Sequence, residues 1–217
     1  MNPVDISLYG ILDPERSGGR PLPQLAADAV RGGATLLQLR DKFGDTRRMV
    51  ETARAIRAAV AGSRVPLLVN DRVDVALAAE AEGVHLGQDD MAIADARRIL
   101  GPHAIIGLSI KTRAEARAAP VDLIDYACIG GVFDTASKDN PTSIGVTGWM
   151  ERAAILRARA PDMPVGAIAG IDATNTASLI GAGADGVAVI SALFMAGDVE
   201  GAAHELAAII SEARSAR

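Results

Sequence analysis

Cysteine is almost missing from this sequence. Cys128 is the only one in 217 residues, which excludes an intrachain disulfide and a cysteine metal cluster and suits a reducing compartment. Aromatic residues are scarce too, with one Trp, two Tyr and three Phe, and positive charge is in deficit: 22 Lys and Arg against 27 Asp and Glu give a net charge of -5. A sequence-independent nucleic-acid binder needs a basic surface and rings for bases to stack on, so no nucleic-acid partner is expected. No uncharged apolar run approaches the roughly 18 residues of a membrane span. The opening MNPVDISLYGILDPE lacks the basic and then apolar order of a secretory signal. The expectation is a cytoplasmic protein with no membrane partner.

What is present is aliphatic bulk. The chain is 49% hydrophobic and 23% charged, enough to bury a large core. Apolar runs at 6–12, 35–40, 65–70, 83–87, 104–109, 123–130, 163–170 and 186–191 alternate with segments of helical composition at 21–32, 45–62, 72–81, 91–100, 112–119, 147–160, 172–182 and 198–213. Strands apolar on both faces and separated by helices are the mark of a buried parallel sheet. Eight such units of about 27 residues each fit a compact (β/α)8 TIM barrel, read as one domain over 1–217. An open doubly wound sheet is the alternative, but its G-x-G-x-x-G fingerprint is missing after the first strand. A faint echo, GGATLLQLR at 32–40, AEGVHLGQ at 81–88 and GADGVAVIS at 183–191, fits glycines that end helices before strands.

Polar residues interrupt these runs chiefly at their C-terminal ends: Gln38, Arg40 and Lys42; Asn70 and Asp71; Gln88, Asp89 and Asp90; Ser109; Thr135, Ser137 and Lys138; Ser191. In a parallel barrel these ends share one face, and that face carries the active site. Asp71 and Asp90 follow adjacent strands, so both carboxylates could meet one Mg2+, which takes one or two carboxylates and completes its shell with water and phosphate oxygens. Either could instead cap the next helix. Gln38, Arg40 and Lys42 alternate at period two and share a side; buried cations there either pair with aspartates or await an anionic ligand. The 130–146 segment, with Thr135, Ser137 and Lys138, suits a phosphate or an ordinary hydrophilic loop. Gly170 and Ile190-Ser191, after the last two strands, suggest a second anion site. His85, His103 and His204 show no zinc or Ser-His-Asp spacing, and Cys128 reads as a small buried hydrophobe.

The segments VNDRVDVALAAEAEGVHLGQDD, QLRDK, TASKDNPT and GADGVAVISAL together resemble the thiamine phosphate synthase family of (β/α)8 transferases, from about Leu8 to Phe194. The resemblance implies that a hydroxymethylpyrimidine diphosphate is joined to a thiazole phosphate with release of diphosphate. It implies that Gln38, Arg40, Lys42, Asn70, Ser109 and Lys138 hold the pyrimidine diphosphate, with Arg40, Ser109 and Lys138 closest to the chemistry. Asp71 and Asp90 would hold Mg2+, and Thr135 through Ser137, Gly170, Ile190 and Ser191 the thiazole phosphate. The chain departs from the family at Gly131 to Ser137, where two prolines are absent and a Ser replaces a Thr, at Lys111 where a His is more common, and at Ala167 to Gly170, a less Gly-rich version. A thiazole-phosphate tautomerase-like paralogue or a non-catalytic phosphometabolite-binding barrel are the other expectations; a homo-oligomer is compatible with the sequence.

Overall fold

In a computed structural model that describes residues 4–134 and 143–216, eight parallel strands close into a barrel in chain order. They are β1 (Leu8–Leu12), β2 (Leu36–Leu39), β3 (Leu67–Asn70), β4 (Gly83–Leu86), β5 (Ile105–Ile110), β6 (Tyr126–Ile129), β7 (Val165–Ile168) and β8 (Val187–Val189). Each lies within an apolar run of the sequence except β5, which extends one residue beyond its run to Ile110. Helices α1 (Leu22–Arg31), α2 (Thr46–Ala59), α3 (Val73–Ala79), α4 (Ile93–Leu100), α5 (Arg113–Ala118), α6 (Gly145–Arg157), α7 (Thr176–Gly181) and α9 (Val199–Ser215) form the outer ring. Composition did not reveal the one-turn α8 (Ser191–Phe194) or a 3-10 turn at Pro14–Arg16; both are too short to carry a periodic pattern.

Strand alternation divides the core in two. Leu37, Leu39, Leu67, Val69, Val84 and Leu86 pack outward with the helices, while Tyr9, Ile11, Leu36, Leu68, Tyr126, Cys128 and Ala188 fill the barrel interior. Because successive side chains face opposite ways, that parity puts Gln38 and Arg40 on the interior side of β2 with Leu36.

At the N-terminal rim a side chain just before each even strand accepts the backbone N–H that opens the odd strand beside it. Thr35 Oγ1 takes Leu8 (3.1 Å), Glu82 takes Leu67, Asp125 takes Ile106 and Asp185 takes Val165 (2.8 Å each). Arg57, Arg97 and Arg157 from the helices pair with the three acids. Two of the three echo segments carry the expected left-handed glycine, Gly33 (φ 108°) and Gly183 (φ 106°), each followed by an alanine and then by Thr35 or Asp185. At the third the left-handed residue is Glu80 (φ 55°), just before the segment, and Gly83 instead opens β4 where a Cβ would lie 1.8 Å from the Ile105 carbonyl. This rim is a stability device, which leaves the opposite rim for chemistry.

Candidate active site at the C-terminal mouth

The mouth is built from strand ends. Asp13, just past β1, is buried at 4% exposure; one carboxylate oxygen accepts the Glu15 N–H (3.0 Å) and the other is paired with Arg40. Lys42 is paired with Asp71. Both cations that follow β2 are thus matched by aspartates, the first of the two outcomes open to them, although neither is as buried as its place after the strand suggested. Each remains partly open, with side-chain exposures of 34% for Arg40 and 43% for Lys42. Between them Asp41 folds the loop by accepting the N–H groups of Phe43 (3.1 Å) and Gly44 (2.7 Å).

Neither Asp71 nor Asp90 caps a helix. The N-cap of α3 is Arg72 and that of α4 is Ala92, both without a side-chain bond. Asp71 sits at φ 60°, a left-handed conformation that Asp tolerates better than most residues, and its N–H donates to the carbonyl of His85 (3.0 Å). Asp90 accepts the Gly87 N–H (2.7 Å). The Asp90 carboxyl is raised from its ordinary value, first by burial and then by its hydrogen-bonding contact with Asp71, against the lowering influence of Gly87 and Lys42. Two carboxyls in contact need positive charge between them. Among the described residues there is no group of three or more His, Cys, Asp or Glu suited to a metal. Two carboxylates with Lys42 beside them are a donor set that a hard divalent ion can use when water completes its shell.

Asn70 ends β3 beside Asp71, in register with His85. Ser109 lies on β5, and its carbonyl accepts from the Gln88 side chain (2.7 Å). Below them runs a polar thread through the barrel: Gln38 Nε2 donates to the Tyr9 hydroxyl, Tyr126 OH donates to Tyr9 OH (2.9 Å), His85 Nδ1 meets Tyr126 OH (2.8 Å) and His85 Nε2 meets Ser109 Oγ (2.9 Å). Burial lowers the His85 pKa from 6.5 to about 4 and pushes the Cys128 thiol up to about 12, so the imidazole is neutral and the thiol inert.

On the other side of the mouth, Gly170 has φ 66° and Ala169, a non-glycine, φ 91°. A Cβ at 170 would lie 2.5 Å from the Asp134 carbonyl, and the Gly170 carbonyl accepts from Asn175 Nδ2 (2.8 Å). Ile190 and Ser191 start α8 directly after β8. Thr135, Ser137 and Lys138 lie outside the described residues. The strand ends thus bring Gln38, Arg40, Lys42, Asn70, Asp71, Asp90 and Ser109 to one rim, with Gly170, Ile190 and Ser191 on the adjoining strand ends. Sequence reasoning missed Asp13, Tyr9, Tyr126 and the part played by His85. The available signals were an acid directly after the β1 run and inward parity for both tyrosines and the histidine.

Comparison with known proteins agrees with the fold. A family model described as thiamine monophosphate synthase matches residues 8–193. The chain is similar to a thiamine-phosphate synthase of Agrobacterium fabrum, 54% identical over 218 residues covering 100% of this chain and 99% of the relative. It is also similar to one of Moorella thermoacetica, 43% identical over 95% of this chain and 97% of the relative. A solved thiamine phosphate pyrophosphorylase from Pyrococcus furiosus superposes with a TM-score of 0.84 at 36% identity, covering 97% of this chain and 98% of that one.

Proposed function

The chain belongs to the thiamine monophosphate synthase family, and from that membership we propose that its mouth joins 4-amino-5-hydroxymethyl-2-methylpyrimidine diphosphate to a hydroxyethylthiazole phosphate, giving thiamine phosphate and diphosphate. The observation that carries the reading is the contact of Asp71 with Asp90 beside Lys42. A paired carboxylate site next to a lysine suits a divalent ion and a diphosphate, and a tautomerase would not need it.

Asp71 and Asp90 would hold Mg2+, which when bound neutralises charge on the departing diphosphate. Arg40, Lys42 and Lys138 bind the same group. Asp13 holds Arg40 at its post and removes one positive charge from the mouth, so the clamp relies more on Lys138 and the metal than the strand-end cations alone imply. Asn70, Gln38 and Ser109 orient the pyrimidine. Departure of diphosphate leaves a cationic carbon on the pyrimidine, which the thiazole nitrogen captures. Gly170, Ile190, Ser191 and the Thr135 to Ser137 hydroxyls hold the thiazole phosphate on the opposite side. Positioning and electrostatics do most of the work.

The lone, buried Cys128 supports a reducing compartment, which we take to be the cytoplasm. Among the described residues no helix is long and apolar enough to cross a membrane. Incubating the purified protein with both substrates and Mg2+ tests the reading: thiamine phosphate and diphosphate form in equal amounts, and absence of both refutes it.

A further inference from the structure

The polar thread beneath the mouth is unusual for a barrel interior. Polar groups so deep persist only when their hydrogen bonds are complete, and this thread joins two residues at the mouth, Gln38 on β2 and Ser109 on β5. His85 is 5% exposed, Gln38 and Tyr9 are each 1% and Tyr126 is fully buried. The thread is also built for: a Cβ at Gly107 would fall 2.1 Å from the Tyr126 ring, so glycine there is what lets the ring lie across the barrel. Tyr9 and Tyr126 meet edge to face, with centroids 5.8 Å apart, which fixes both hydroxyls.

The two tyrosine hydroxyls are 2.9 Å apart, and the tautomer of His85 follows from which of them donates. When Tyr126 OH donates to Tyr9 OH, its oxygen accepts from His85 Nδ1–H. A buried imidazole whose two ring nitrogens both meet hydroxyls carries a single proton. Nε2 is then an acceptor, and the proton it takes is that of the Ser109 hydroxyl, 2.9 Å away. The Ser109 lone pairs are left for the mouth.

We propose that His85 is a positioning residue: through Tyr126 and Tyr9 it ties Ser109 to Gln38 across the barrel and commits the Ser109 proton inward, so that both groups meet the pyrimidine diphosphate in one fixed orientation. This rests on the reading of the mouth given above. His85 touches no reacting atom and acts only through its neighbours.

The test compares steady-state kinetics of His85→Gln, His85→Asn and Tyr126→Phe, alone and combined with Ser109→Ala. A Gln amide reaches the Nε2 position and an Asn amide the Nδ1 position. His85→Asn should lower kcat on the order of tenfold to a hundredfold with little change in KM, while His85→Gln recovers most of the loss. In the Ser109→Ala background His85→Asn should cost no more than about twofold, because the residue it touches is gone, and Tyr126→Phe should keep only the part of its loss that runs through Tyr9 to Gln38. Tyr126→Phe preserves the ring and keeps the test open where a His85 variant does not fold. Equal losses in His85→Gln and His85→Asn, or losses that add fully to that of Ser109→Ala, overturn the proposal. Imidazole 15N shifts of the ligand-free protein give a readout independent of turnover: the Nδ1–H tautomer is expected and the Nε2–H tautomer overturns the relay. A wild-type protein that makes no product, yet shows the Nδ1–H tautomer, refutes the functional reading and leaves the relay standing.

Discussion

Beyond the effect of burial, Asp71, ion-paired with Lys42, raises the Asp90 carboxyl that follows the next strand, and neither aspartate is used to cap the helix after it. Like charges in contact destabilise the metal-free fold, so Asp90→Asn should leave its thermal stability unchanged or slightly higher. The same variant should lose the rise in Tm that Mg2+ gives the wild type, and kcat/KM should fall on the order of a hundredfold. Because the Asp90 carboxyl is raised, protons compete with the metal there, and the Mg2+-dependent rise in Tm should shrink as pH falls through the acidic range. Thermal melts with and without Mg2+ across pH check both statements; a Mg2+ response retained in Asp90→Asn sinks the metal assignment.

His85 carries a pH dependence of a different kind. Its pKa is lowered from 6.5 to about 4 in the folded chain by burial, so between those values the unfolded state binds the extra proton. Stability is therefore fully present above pH 6.5 and is lost as pH falls toward 4, by roughly 3 kcal/mol once the whole interval is crossed. His85→Gln has no such titration. Urea unfolding at pH 7 and pH 4.5 should show the wild type losing about 2 to 3 kcal/mol more than the variant.

How much of this was legible in the sequence follows from what each feature depends on. The barrel was legible because a parallel sheet covered on both faces forces largely apolar runs, and LLQL, LLVN and GVHL are such runs with Arg40, Asp71 and Gln88 close behind them. Parity was legible as well, since Gln38 and Arg40 share a side in any extended strand. Partners were not. The pairing of Arg40 with Asp13 joins β1 to β2, and the His85 to Ser109 contact joins β4 to β5. Both depend on the register between neighbouring strands, which no local pattern encodes. His85 looked like an isolated strand histidine because its neighbours in space, Tyr126 and Tyr9, are far from it along the chain.

Ala169 and Gly170 make a matched pair for testing backbone strain where the thiazole phosphate is proposed to bind. Ala169 holds φ 91° with a Cβ, whereas Gly170 holds φ 66° without one. Ala169→Gly removes a left-handed penalty of about 1 to 2 kcal/mol and adds unfolded-state entropy of roughly half that, so a net gain of up to about 1 kcal/mol is expected. Gly170→Ala creates the penalty and drives a Cβ toward the Asp134 carbonyl, 2.5 Å away; it should cost more than 2 kcal/mol and raise KM for the thiazole phosphate. Denaturant melts and KM values for each substrate separate the two effects, and a destabilised Ala169→Gly contradicts the strain argument.

The N-terminal rim should be separable from the mouth. Asp125 accepts the Ile106 N–H at 2.8 Å and pairs with Arg97 at 2.7 Å, and the Arg97 side chain is only 17% exposed. Asp125→Ala strands a buried N–H and a mostly buried guanidinium together, for an expected loss of about 2 to 4 kcal/mol. Arg97 also donates to the carbonyls of Leu123 and Ala104, which keeps part of its charge solvated by the backbone and holds the loss below the upper end of that range. Thr35 does the same duty at β1 with a neutral hydroxyl and no arginine, so Thr35→Ala should cost less, about 1 kcal/mol. Since both sites lie at the end of the barrel opposite Asp71 and Asp90, kcat and KM at 25 °C should stay within about twofold of wild type as long as the variants are folded. A Tm series set beside the kinetics decides it, and a drop in kcat that tracks the loss of stability would show that the two rims are mechanically coupled through the strands between them.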